Sequence, residues 1–254
     1  MTRSRSLRSG GILLSLVGTL LVAVGGTALV LRRRQVQWIT RLTATIPGAH
    51  DYWRERGRAH DGAVLYVAVG DSAALGIGAS SPAGGYVGIV ADAIAEETGR
   101  PVRVRNLAID GATLAVCILD ELPRLAALEP DVCTLSIGAN DIWSFEPERF
   151  RRELAVVLDA MPPGTIVAEL PSFSVIPVHR RVAAANRIIR AEVAERGFVL
   201  APLHRTTSAG GALATVFGSA GDLFHPNDRG YVRWAAAFLP AVREALERLT
   251  PSAG

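Results

Sequence analysis

From residue 62 onward, short apolar runs alternate with amphipathic stretches, and that rhythm predicts the elements. Ala63–Gly70 is a β-rich run that stops at glycine, and Val102–Ala108 alternates as a strand. Val132–Ile137, Thr165–Leu170 and Phe198–Ala201 are further buried strands. Helical spacing occupies the intervals: Tyr86–Thr98, closed by Gly99; Thr113–Leu128, with Thr113 as N-cap and Pro123 as a kink or break; and Pro147–Met161. Val178–Arg196 sets Val182, Ala185, Ile189 and Val193 on one face, and Gly197 closes it. The last helix begins near Asp228 and carries Tyr231, Trp234, Ala235, Phe238, Val242 and Leu246 inward. Strands alternating with helices imply right-handed crossovers and a parallel sheet covered by helices on both faces. In such sheets ligands bind beyond the carboxyl ends of the strands, so the residues just past each strand are where chemistry is to be sought.

The first sixty residues break the rhythm. Residues 1–10 form a basic segment, and Gly11 to Leu31 then runs without a charge and almost without a polar side chain. About 20 apolar residues at 1.5 Å rise suffice to cross a hydrocarbon core. This predicts a single-pass N-terminal transmembrane anchor over 11–31, with a signal peptide as the competing reading. Gly26-Thr27-Ala28 is a weak cleavage site, and the apolar run continues past it into Arg32, Arg33 and Arg34. Arginines flank both ends, so the positive-inside rule gives no clean orientation. Residues 32–61, with Pro47, Gly48 and Gly57, read as a juxtamembrane linker, helical in part, and the folded domain is expected over 62–250.

Composition adds limits. A chain of 254 residues has room for one α/β domain with a sizeable core and a short appendage. The excess charge of +3 gathers in the first sixty residues, and every basic residue is arginine. Beyond Asp61 acids and bases balance, which leaves no basic stripe of the kind a nucleic-acid partner needs. Cys117 and Cys133 fall in apolar segments and read as packing residues; they form neither a disulfide framework nor a metal motif.

Four blocks stand at strand ends or in the last loop. Gly70-Asp71-Ser72, with Gly76 and Gly78 behind it, follows the first strand. A serine there is either a nucleophile or a turn and cap residue. A phosphate loop would need a lysine, which the chain lacks, and Ala74 stands where the nucleophile elbow G-x-S-x-G needs its second glycine. Gly111 follows the second strand, either as an N–H donor or as an ordinary left-handed turn. Gly138-Ala139-Asn140-Asp141 follows the third: the Asn140 amide can face a developing oxyanion, or Asn140 merely turns the chain while Asp141 caps a helix. Near the C-terminus comes Asp222-Leu223-Phe224-His225-Pro226-Asn227, where a spacing of three lets Asp222 reach Nδ1 of His225 and leaves Nε2 for a nucleophile. None of His50, His60, His179 and His204 has a carboxylate at comparable spacing in such a setting.

Taken in order, these blocks resemble those of the SGNH (GDSL-type) hydrolases, and the resemblance runs from about Val64 to Leu249. It implies a flavodoxin-like three-layer α/β/α fold with a five-stranded parallel sheet, here preceded by the transmembrane helix. It also implies Ser72 as nucleophile, His225 as general base and then acid, and Asp222 as the group that orients the imidazole. The oxyanion hole would comprise the Ser72 and Gly111 N–H groups and the Asn140 amide. Ala73 stands where the family commonly has leucine, a packing position. No metal or cofactor is implied.

The expected activity is hydrolysis of small acyl (thio)esters through an acyl-serine intermediate. An acyltransferase or deacetylase acting on envelope glycans is the alternative, and a non-catalytic membrane-held binding module a distant one. The substrate partner would be an acyl ester or an acylated glycan or lipid, and family analogy favours the extracytoplasmic face. Trp143 and Phe145, with Phe173, Val175 and Ile176, are expected on loops bordering the site, as pocket lining or as plain core contacts.

Overall fold

The computed structural model describes residues 32–58, 63–173 and 178–249. Five parallel strands form one sheet: β1 (Val64–Gly70), β2 (Val102–Asn106), β3 (Val132–Ser136), β4 (Ile166–Ala168) and β5 (Val199–Ala201). Their order is β2-β1-β3-β4-β5, so the chain moves outward from β1 first to one side and then to the other. The reversal opens a crevice at the carboxyl edge, where β1 ends beside β3 with Gly70 opposite Ser136.

Both faces of the sheet are covered because its strands are apolar on both faces. Tyr66 and Ala68 of β1 join one core, and Val67 and Val69 join the other. On the first side lie α1 (32–56), the short α2 (Ser72–Leu75), α3 (Tyr86–Thr98) and, from later in the chain, Leu203 and the last helix. The second side holds the helical stretch Leu114–Leu125, α6 (Pro147–Asp159) and α7 (His179–Glu195). That stretch is α4 (Leu114–Val116), a π-helical turn over Cys117–Glu121 and α5 (Leu122–Leu125). Thr113 caps it as expected, accepting from the Val116 N–H. The expected break at Pro123 takes the form of the π turn, in which the Leu122 N–H reaches back five residues to Cys117 O. The remaining helices are α8 (Leu203–Ser208), α9 (Gly211–Phe217) and α10 (Asp228–Leu249). On α10 the expected stripe of Tyr231, Trp234, Ala235, Phe238, Val242 and Leu246 is buried, with Phe238 stacked on Tyr86 at 4.8 Å between ring centroids.

Residues 32–56, expected as part of a linker, are a continuous helix docked on the domain. The docking stripe is Gln35, Ile39, Leu42, Ile46, Ala49 and Trp53, alternating steps of four and three residues along one face. Leu42, Ala49 and Trp53 are buried, and the Trp53 indole N–H donates to Leu75 O at 3.0 Å. Pro47 sits inside the helix without an N–H for Thr43, and tertiary packing carries the helix through it. The anchor expected over 11–31 lies outside the described residues, and among the described residues no helix is long and apolar enough to cross a membrane.

Candidate active site

The ends of β1, β2 and β3 each deliver one group to the crevice. β1 closes on Gly70, whose Cα lies against the Ser136 carbonyl so closely that a side chain would overlap it. The next residue, Asp71, N-caps α2 by accepting the Ala73 N–H at 3.0 Å. Ser72 is therefore the first helical residue, with its N–H in the turn that has no intrahelical acceptor. Beyond β2, Gly111 takes φ 71° in a turn closed by the Ala112 N–H on Ile109 O at 3.1 Å. Beyond β3, a 3₁₀ turn over Asn140–Ser144 presents Asn140.

These loops are bolted together. Asn140 Nδ2 donates to Ala112 O at 2.9 Å, which uses one amide hydrogen, and Asp71 Oδ2 is only a weak partner for the other at 3.5 Å. Asp141 does not cap the next helix; its carboxylate accepts the Leu114 N–H at 3.1 Å and ties the Gly111 loop to the β3 loop.

The last group arrives on the loop before α10. Ala220 N–H donates to His225 O at 2.7 Å, and Asn227 clasps the loop by donating to Phe217 O and Ser219 O, both at 2.9 Å. Within it, Asp222 Oδ1 accepts the Phe224 and His225 N–H groups at 3.1 Å, while Oδ2 meets His225 Nδ1 at 2.6 Å. So tight a return needs Leu223 at φ 61°, the one non-glycine residue with positive φ among the described residues. A left-handed leucine costs about 1–2 kcal/mol. On its other edge His225 Nε2 lies 2.9 Å from Ser72 Oγ. The serine, imidazole and carboxylate thus form a continuous relay, with Asp222 almost wholly buried.

Charge in the site follows its surroundings. Burial pushes the Asp222 carboxyl up, but His225 and the two backbone N–H groups outweigh it and hold the group below the usual carboxylate range. Asp71 moves the other way, to about 6, because burial dominates and Asp110 and Asp141 add repulsion against the help of the Ala73 N–H and His225. Behind β1, Glu121 of the π turn accepts the Gly70 N–H at 2.9 Å, and burial lifts its carboxyl to about 8. Cys117 and Cys133 are free and buried, and burial raises both thiols, in keeping with packing roles.

Ser72, Gly111, Asn140, Asp222 and His225 all border one cleft of about 220 Å³. The sequence-predicted site residues are therefore brought to a single place. A second cavity of about 490 Å³ continues past His225 between Gln35, Trp143 and Leu223. Of the expected bordering aromatics, Trp143 lines this space and Phe173 stacks on Phe224 beside His225 at 5.6 Å. Phe145 instead packs against Phe150 in the core, and Val175 and Ile176 lie outside the described residues. Sequence reasoning missed the cleft's other wall, Ile39, Leu42, Thr43 and Ile46 of α1. The heptad-like stripe from Gln35 to Trp53 was the signal that could have found it.

A nucleophile-base-carboxylate relay at the carboxyl edge of a parallel sheet defines a serine-hydrolase type of site, and the comparisons agree. The chain belongs to the GDSL-like lipase/acylhydrolase family, whose model matches residues 68–233. It is 30% identical over 192 residues to the GDSL-like esterase Rv1075c of Mycobacterium tuberculosis (strain ATCC 25618 / H37Rv), a match covering 70% of this chain and 61% of that protein. Solved structures share the fold. LAE5, an alpha/beta hydrolase enzyme from the metagenome of Lake Arreo, Spain, superposes with a TM-score of 0.58 at 22% identity, over 71% of this chain and 96% of LAE5. The acetylxylan esterase Axe2 from Geobacillus stearothermophilus gives 0.57 at 20% identity, over 70% and 94%.

Proposed function

We propose that this protein is a serine esterase that cleaves small acyl esters through an acyl-Ser72 intermediate. The observation that carries the reading is the relay itself, 2.9 Å from Ser72 Oγ to His225 Nε2 and 2.6 Å from Nδ1 to Asp222. In the acylation step Nε2 removes the Ser72 proton as Oγ attacks the ester carbonyl carbon. The carbonyl oxygen becomes an oxyanion, received by the Ser72 and Gly111 N–H groups and the uncommitted hydrogen of the Asn140 amide. As the tetrahedral intermediate collapses, the imidazolium returns its proton to the leaving alcohol oxygen and the C–O bond breaks. Water then enters, His225 takes its proton, and the same sequence in reverse releases the acid and restores Ser72. Asp222 stays ionised throughout, which its depressed pKa favours, and holds Nδ1–H so that Nε2 is the basic nitrogen.

The test is labelling by a fluorophosphonate probe, wild type beside Ser72→Ala. Labelling of the wild type alone supports an activated serine at this position. A folded wild type that takes no label refutes the proposal.

A further inference from the structure

The family match begins at residue 68, and α1 ends at 56, so α1 lies outside the matched residues. Its two ends do different things. The C-terminal part is ordinary core: Ala49 and Trp53 are buried, and the indole is fixed to Leu75 O, the last residue of the helix that begins with Ser72. The N-terminal part instead spans the crevice. It is seated at its far end on the His225 loop, where the Trp38 ring lies flat enough on Gly221 that no side chain would fit there. Gln35 Nε2 adds a long hydrogen bond to Asp222 O at 3.4 Å. Between these two attachments Ile39, Leu42 and Ile46 border the 220 Å³ cleft that Ser72, Gly111 and Asn140 also line; Leu42 and Ile46 pack on the core along their inner sides, while Ile39 is exposed. An apolar wall facing a set of polar donors across a reacting serine is asymmetric in a useful way. The donors suit the carbonyl end of an ester, and only its hydrocarbon end suits the wall.

We propose that α1 is the acyl-binding wall of this enzyme: the acyl chain lies along Ile39, Leu42 and Ile46, and their bulk sets the preferred chain length. The proposal rests on the esterase reading above. The size of the cleft makes it specific. An apolar cavity of about 150 Å³ admits benzene, so 220 Å³ suits an acyl chain of roughly six to eight carbons. The leaving alcohol departs on the other side of His225, through the larger cavity beside Trp143 and Leu223.

The experiment uses the full-length chain and p-nitrophenyl esters from acetate to dodecanoate, with kcat/KM measured for each and fluorophosphonate labelling run in parallel. For the wild type, kcat/KM should climb by about four-fold per buried methylene and level off near six to eight carbons. Ile46→Trp, which fills the cleft from a half-buried position, should lower the octanoate-to-acetate ratio at least ten-fold. Ile46→Ala should raise the decanoate-to-hexanoate ratio. Ile39→Trp, at an exposed position, carries the same test as Ile46→Trp should the latter fail to fold. Label-competent variants with the wild-type chain-length profile overturn the wall while leaving the esterase standing. A wild type that neither labels nor cleaves any ester overturns both.

Discussion

Gly78 offers a way to move His225 without touching it. It holds φ 100° six residues after Ser72, and its Cα lies against the Pro226 backbone and the His225 Cβ. A methyl group added there would overlap the Pro226 carbonyl oxygen and stand 3.0 Å from His225 Cβ, where ordinary contact begins at 3.4 Å. The loop must retreat, by about 1 Å at Pro226 and a few tenths of an ångström at His225. That retreat opens the 2.9 Å contact between Nε2 and Ser72 Oγ. A misplacement of about 1 Å costs on the order of 10² in rate, so the shift of a few tenths of an ångström at His225 in Gly78→Ala should lower kcat by roughly four- to ten-fold. The positive φ adds about 1–2 kcal/mol of strain, worth roughly 2–8 °C in melting temperature for a domain of this size. Gly99→Ala is the matched control, because Gly99 has φ 63° with nothing within 4 Å of its absent Cβ. It should lose similar stability and keep its kcat. The assay is steady-state hydrolysis of p-nitrophenyl hexanoate with thermal melts of both variants. A folded Gly78→Ala enzyme within three-fold of wild-type kcat, or a Gly99→Ala enzyme equally impaired, would refute the reasoning.

Two further changes test the electrostatics. Asp222→Asn keeps the acceptor for the Phe224 and His225 N–H groups but turns an amide N–H₂ toward Nδ1. The imidazole must then carry its proton on Nε2, facing Ser72, and kcat should fall by about 10⁴ with the melt little changed; retention of a tenth of the activity would contradict this. Asp71 is ionised less readily folded, at about 6, than at its ordinary 3.8. The folded state therefore binds the extra proton, so the contribution to stability is present below pH 3.8 and lost as pH rises through about 6. At 1.36 kcal/mol per unit the loss reaches at most about 3 kcal/mol. The unfolding free energy of Asp71→Asn relative to wild type should accordingly rise between pH 4 and pH 7; a difference independent of pH would show that the buried charge is not costly.

Much of the architecture was legible because each strand ends near a glycine or polar residue and each long helix carries one apolar face. Tyr86–Thr98 coincides with the observed helix, and the α10 stripe from Tyr231 to Leu246 is buried as its spacing required. The acid–base turn was legible for a local reason, since three residues separate Asp222 from His225. What escaped was set by distant partners. Pro47 and Gly48 are local signals against a helix, and only docking on Leu75 and the His225 loop overrides them in α1. The π turn before Pro123 delivers Glu121 to the Gly70 N–H, a contact across 51 positions of sequence. Asn140 looked free to serve an oxyanion, yet one of its two hydrogens is spoken for by Ala112 O. α8 and α9 went unseen because each is shorter than two helical turns, too short to show a periodicity.

The left-handed Leu223 has a consequence for heat. Its strain of about 1–2 kcal/mol is a sizeable part of the 5–15 kcal/mol that holds a typical domain together, and it is concentrated in one turn. That turn is kept shut from outside, by the Asn227 clasp and by the upper end of α1, neither of which belongs to the sheet. Local openings draw on whichever segment has the least to lose. On warming, the segment from Gly218 to Asn227 should therefore loosen while β1 and β3 remain paired, so that esterase activity is lost at a lower temperature than the far-ultraviolet melt.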